Sequence, residues 1–309
     1  MGRYVLRRLL QLIPVFFGST FLIYYLVWAV PGDPFAGKCG ERRCPDAFIN
    51  KLTEQYQLNE PVWFQYFSYM KNLLQGNFGE TFNGQQISEI MAQAWPNTAK
   101  LALVALAIEA IIGITAGVLT GLRRNGFLDN LVLVSTLFLI ALPVFVTGFV
   151  LQYLLGVRWQ IVSPTVSSNP PTFAELLLPG FVLGSASMAY VARLTRTSIA
   201  ENRRGDYVRT AIAKGLPMRR VVGIHLLRNS LISVVTFLGT DLGALMGGAI
   251  ITEGIFRVNG IGLTVYRSIV TKESSTVVSI IIVLVIIYLL MNLLIDLLYA
   301  ALDPRIRYE

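Results

Sequence analysis

The chain has 309 residues, 54% of them hydrophobic and 14% charged, with 26 Lys and Arg against 18 Asp and Glu. The hydrophobic residues gather in long runs instead of alternating, which is a membrane composition and excludes an ordinary soluble domain. The formal charge of +8 does not require a nucleic-acid partner if the basic residues face the anionic inner leaflet of a membrane.

A helix needs roughly 20 apolar residues to cross a bilayer core of about 30 Å. Runs of that length fall at 9–30, 98–121, 131–155, 175–192, 229–251 and 277–301. The fourth is the shortest and is opened by Pro179. The first follows Arg3, Arg7 and Arg8 like a signal peptide, yet it is too long and ends in Val30-Pro31-Gly32 with no small-residue cleavage site, so it reads as a retained helix. The expected fold is therefore an all-α integral membrane domain of six transmembrane helices covering 1–309, with an extracytoplasmic loop subdomain at 31–97 and a cytoplasmic loop at 193–228. With both termini inside, the inner side carries sixteen basic residues against five acidic ones and the outer side, with Lys100 and Glu175 at the outer span ends included, ten of each, as the positive-inside rule requires.

The outer loop opens with Gly32-Asp33-Pro34-Phe35-Ala36-Gly37-Lys38-Cys39, which nearly spells a phosphate-binding loop. The match fails because Cys39 replaces the hydroxyl that would hold magnesium, Pro34 interrupts the loop and no strand precedes it. Cys39 and Cys44 are the only cysteines. On the outer side they either form a disulfide or remain two unpaired thiols, and two cysteines alone make no metal site. Pro45-Asp46 followed by Phe48, Leu52 and Tyr56 predicts a short amphipathic helix, and Pro61 through Trp63, Tyr66, Phe67, Met70 and Leu74 predicts a second. These helices would either meet a docking partner or form an interfacial aromatic belt.

Small residues recur every fourth position at Gly113, Gly117 and Gly121 in the second span and at Gly239, Gly243 and Gly247 in the fifth. Such stripes let helix backbones approach closely, since lipid supplies little hydrophobic drive for association. Both helices are expected inside the bundle, lining the pathway or simply packing. Glu109, Asp241 and Asp296 are ionisable residues within spans, where a carboxylate must be paired, hydrated or protonated. They suit either interhelical hydrogen bonds or the proton relay of a proton-coupled carrier. His225, the single histidine, has no evident metal partners and is expected to be structural.

The cytoplasmic segment carries the clearest local signals. Asp206 can cap a helix start, Gly215 can supply the left-handed residue that ends one, and Pro217 prevents resumption. A helix of about two turns is predicted from Tyr207 to Lys214, with Tyr207, Ala211 and Lys214 along one side and Val208 and Ile212 along another, flanked by Arg203, Arg204 and Arg209. It would insert into a groove of a partner or rest as a basic loop on lipid headgroups.

The segment DYVRTAIAKGLPMRRVV, followed by HLLRNSL, resembles the EAA loop of binding-protein-dependent ABC importer permeases of the dipeptide, oligopeptide and nickel group. The resemblance runs along the whole chain, through RRLLQLIPVFFGSTFLIY, VPGDP, GNFGETF, TEGIF, GIG and DLLYAALDPRIRY, and is closest to the first of the two permease subunits. It implies a type I importer permease fold and a complex with a second homologous permease, two cytoplasmic ATPases that hold ATP and magnesium, and an external solute-binding protein. It also implies a pathway between the two permeases that opens alternately to each side, a peptide substrate, or nickel or haem as in some related members, and no catalytic residue or cofactor on this chain. Residues Tyr207, Val208, Arg209, Thr210, Ala211, Ala213, Lys214 and Gly215 match the loop that docks into an ATPase subunit. Ile212 stands where the family often has Arg, a difference that would tune docking. Asn259, within a stretch commonly P-G-I-G, and Glu273-Ser274-Ser275 also depart from the pattern and bear on binding-protein specificity.

Overall fold

The computed structural model describes residues 2–28, 45–55 and 57–302. Cys39, Cys44 and the 32–39 segment lie outside them. All the regular secondary structure among the described residues is helical, with one isolated antiparallel bridge between Glu80 and Gln86. Four helices are long and apolar enough to cross a membrane, and the number reaches six when each of two bent pairs is taken as one span.

The chain divides into two compact units, Met1–Thr98 with Val258–Glu309, and Ala99–Arg257. In the first, α1 (Gly2–Trp28) lies along α14 (Ser274–Leu302), and the two short helices α2 (Asp46–Gln55) and α3 (Val62–Leu74) form where the sequence predicts them. Pro61 stands immediately before α3, where a fixed φ is pre-organised for the first turn. Helix α3 buries Tyr66, Met70 and Leu73 against Tyr24, Val278 and Ile282 of the two long helices. It leaves Trp63, Phe64 and Phe67 exposed. Buried polar atoms on this face are paired, since Tyr66 Oη meets Thr20 Oγ1 at 2.7 Å and Tyr69 Oη donates to Ser279 Oγ at 2.9 Å. Helix α13 (Ile261–Val270) packs on α14. The Ile261 amide at its start donates to Thr98 Oγ1 at 2.8 Å.

The second unit holds the inner part of α4 (Ile87–Leu122), then α5 (Phe127–Ala141), α6 (Val144–Leu151), α7 (Phe173–Asn202), α8 (Asp206–Ala213), α9 (Met218–Arg220), α10 (Leu227–Ser230), α11 (Ile232–Gly248) and α12 (Ile250–Phe256). Helices α4 and α7 run parallel, rising residue numbers pairing with rising ones. A Cβ on Gly117 would lie 2.5 Å from both Ala192 O and Thr195 Cβ, and one on Gly121 would lie 2.8 Å from Ile199 Cβ. Gly180 and Gly184 of α7 repeat the arrangement against Val104 and Ala105. The second-span stripe is thus a packing seam matched by a second stripe that the sequence reading did not single out.

Three expectations are corrected. The third predicted span is a pair of helices that diverge by 104° at Leu142-Pro143, because proline cannot continue the ladder of α5. The fifth is likewise bent, by 48° at Leu231. The fourth, expected to be short, is the thirty-residue α7, which passes through Pro179 and extends to Asn202, opened by a capping box between Thr172 and Glu175.

Two measurements check this packing. Gly117→Val is expected to lower the stability of the detergent-solubilised protein by about 1–3 kcal/mol, seen as a fall in Tm. Gly247→Ala, where nothing lies within 4 Å of an added Cβ, should leave it unchanged. Burial pushes the Tyr69 phenol from 10.0 up to about 12. Because burial favours the neutral form, its contribution to the docking of α3 is complete below the ordinary value and is lost as pH climbs through the folded value. A spectrophotometric difference titration of wild type against Tyr69→Phe should isolate one phenol that ionises near 12 and not near 10.

Candidate functional site

The segment after α7 folds into a small supported helix. After Asn202 the chain turns through Arg203-Arg204-Gly205 and enters α8. Gly205 occupies the cap position, and a Cβ there would lie 2.7 Å from the Tyr207 ring. Only glycine leaves room for that ring, whose hydroxyl donates to Asn202 Oδ1 at 2.8 Å.

At the other end the Gly215 amide donates to Ile212 O at 2.9 Å and the Leu216 amide to Ala211 O at 3.3 Å, with Gly215 at φ +74°. This is a Schellman closure, and Leu216 folds back onto the same apolar cluster as Ala211. Pro217 then precedes α9, and Val221–Leu226 is wound in wider π-type turns before α10.

An eight-residue helix is marginal alone, and here a core supplies its support. Val208 and Ala211, 2% and 4% exposed, pack with Ile199, Val221 and Leu226, and Val118 and Leu122 of α4 close the cluster. Two polar ties flank it. Arg203 Nη1 donates to Leu122 O at 2.6 Å, and Ser198 Oγ donates to Ser230 O at 2.9 Å. Above it Arg196, through Nε and Nη2, grips both oxygens of the buried Asp129 carboxylate at the start of α5.

Two sequence expectations change. Asp206 is the first helical residue and not the cap. Its side chain is open to solvent and makes a 3.9 Å ion pair with Arg209, while the carboxylate still lies favourably at the positive end of the helix. Ala211 follows Tyr207 along the helix at i+4 but is turned under, buried where Tyr207 and Lys214 are exposed. It lies beside Val208 on the buried side, because the apolar partners come from Val221 and Leu226, later in the chain. The outward face comprises Tyr207, Arg209, Thr210, Ile212, Ala213 and Lys214. His225 sits half-buried in the π turns.

The membrane-embedded carboxylates separate into two kinds. Asp296 is ion-paired with Arg8 at 2.7 Å, joining α1 to α14. Glu109 of α4 and Asp241 of α11 face each other across the second unit, and the Ser187 hydroxyl of α7 donates to Asp241. Around them Gly239 and Gly247 are half-buried and Gly243 is buried. The fifth-span stripe thus differs from the second: Gly247 has no neighbour within reach. Among the described residues no group of three or more His, Cys, Asp and Glu could hold a metal ion.

The long apolar helices mark a multi-pass membrane protein. The chain belongs to the family described as binding-protein-dependent transport system inner membrane component, whose sequence model matches residues 113–308, and the corresponding N-terminal model matches 1–102. It is 35% identical to the dipeptide transport system permease protein of Alkalihalophilus pseudofirmus, 34% to the di/tripeptide transport system permease protein of Pseudomonas aeruginosa and 33% to the oligopeptide transport system permease protein of Haemophilus influenzae, each covering 100% of both chains.

Gly215→Val is expected to cost about 1–2 kcal/mol through the left-handed φ alone. Hydrogen–deuterium exchange should show lost protection confined to the segment around α8, with the spans unaffected.

Proposed function

We propose that this chain is one permease half of an ATP-driven importer of di- and oligopeptides. In this reading it sits in the bacterial inner or plasma membrane with both termini cytoplasmic. A second homologous permease completes the pathway, two cytoplasmic ATPases carry ATP and magnesium, and an extracytoplasmic solute-binding protein delivers the peptide. The chain itself binds no cofactor and catalyses no bond change. Full-length similarity to three peptide permeases supports the substrate class.

The observation that carries the mechanism is that α8 is held by its own core while its other face is free. Six neighbouring side chains point outward, among them the half-exposed apolar Tyr207 and Ile212 at 38% and 49%. Apolar groups displayed beside Arg209 and Lys214 suit a groove with an apolar floor and an acidic rim. Docked there, α8 follows the ATPase as it closes. Because Val208 and Ala211 join α8 to α4 and α7, the displacement passes to those spans instead of dissipating in a loop.

The inward face makes Ala211→Arg a packing variant, which should impair both the loop and the docking. The outward face supplies the discriminating test. The double variant Tyr207→Ala/Ile212→Asp is expected to insert and assemble with its permease partner normally. ATP-dependent uptake of labelled dipeptide in cells should fall by roughly tenfold or more, the loss of one or two docked apolar side chains, and ATPase subunits should no longer co-purify. Normal uptake with ATPases retained would overturn this role for α8. Uptake of nickel or haem in place of peptide would overturn the substrate class.

A further inference from the structure

The carboxyl pair of Glu109 and Asp241 joins α4 to α11 without a cationic partner among the described residues. Glu109 is fully buried with Asp241 as its polar neighbour, and no N–H or hydroxyl reaches either of its oxygens or Oδ2 of Asp241. No ion pair to either residue occurs among the described residues, in contrast to Asp296 and Asp129. Facing carboxyl groups can share one proton, and the negative charge that remains on the pair still favours something positive beside it in an apolar interior.

Their depth is also particular. Ser187 lies at the middle of the thirty-residue α7, and Asp241 lies near the middle of the seventeen-residue α11. Glu109 is about 20 Å from the inner end of α4 at roughly 1.5 Å per residue. The three residues therefore meet near the middle of the membrane. Asp241 is half-buried while Glu109 lies behind it wholly buried. A ligand would thus meet Asp241 first.

A second feature adjoins the pair. Tyr190 and Phe237 stack with centroids 4.5 Å apart. Tyr190 is three residues after Ser187 on α7 and Phe237 four before Asp241 on α11, so both rings lie one turn away on the same helix faces. Half of Tyr190 is exposed. Aromatic faces beside unpaired carboxyl oxygens and a hydroxyl form a set that receives an organic cation.

We infer that Glu109 and Asp241, with Ser187 and the Tyr190–Phe237 pair, form a mid-membrane subsite for one positively charged group, the ammonium of the transported peptide. The inference rests on the peptide-importer reading and deepens it. The ammonium would meet Asp241 in an open state of the pathway and leave when the helices rearrange, so the site would be weak and passed through.

The test uses the complete importer with its solute-binding protein in proteoliposomes, with labelled trialanine as substrate. Asp241→Asn and Glu109→Gln are each expected to lower peptide taken up per ATP hydrolysed by roughly tenfold, the scale of one lost ionic contact, with Glu109→Asp recovering part of the loss. Wild-type ratios in both neutral variants, alongside working wild-type transport, would overturn the subsite. Absence of ATP-driven uptake by the wild type would instead overturn the importer reading.

If the variants do not assemble, the wild-type complex decides. Labelling of Glu109 or Asp241 by dicyclohexylcarbodiimide in detergent, located by mass spectrometry, should be suppressed by trialanine and not by N-acetyl-trialanine. Suppression by sodium or by pH alone, or by neither peptide, would assign the pair to an inorganic cation, a proton or packing, and would overturn the proposal.

Discussion

The close approach of α4 and α7 through glycine is the contact on which the second unit depends. In a bilayer, apolar side chains gain little by leaving lipid for protein, so helix association relies on dispersion between surfaces that fit. Gly113, Gly117 and Gly121 on one helix, and Gly180 and Gly184 on the other, remove the Cβ atoms that would hold the backbones apart. The seam ends at Gly121 against Ile199, and Ile199 is also the residue on which Val208 and Ala211 of α8 rest. The packing that joins the two spans therefore continues without a break into the support of α8.

This continuity matters because α8 is too short to be stable by itself. Its Schellman closure and the clamp of Arg203 on Leu122 O fix its two ends, and the Arg196–Asp129 pair ties α5 into the same region. On the other side, α8 is followed by π turns and then by the 48° bend at Leu231. Wider turns and a break in the hydrogen-bond ladder are where a helix yields. The short helix is consequently rigid toward α4 and α7 and compliant toward α11.

Much of this was legible in the sequence, for reasons that differ from element to element. The apolar stretches, four long helices and two bent pairs, follow from apolar length, and α2, α3 and the glycine end of α8 follow from Pro45, Pro61 and Gly215, whose backbone preferences are local. The reading failed where the deciding partner was distant. Ala211 carries no signal of its own, and its burial is set by Val221 and Leu226. Asp206 and Gly205 are both acceptable caps, and the Tyr207 ring over Gly205 decided between them. Pro143 marks a break without giving the 104° angle. Glu109 and Asp241 were each visible as costly intramembrane carboxylates, but nothing local says that two residues so far apart in the chain face each other.

The geometry also links α8 to the carboxyl pair. Glu109 and Ser187 sit on α4 and α7, which the glycine seam holds as one body, whereas Asp241 sits on α11 beyond the bend at Leu231. Ten residues of helix separate Leu231 from Asp241, about 15 Å at roughly 1.5 Å per residue, so a change of about 4° in the bend moves the Asp241 backbone by about 1 Å. A shift of that size is enough to make or break an ionic contact whose optimum is about 3 Å. Movement of α8 transmitted into the π turns would thus change the separation of the two carboxyl groups without any deformation of the α4–α7 seam. Were the pair to hold a ligand, a site so divided, with one acceptor on the rigid body and the other on the hinged helix, would couple occupancy to the bend in both directions.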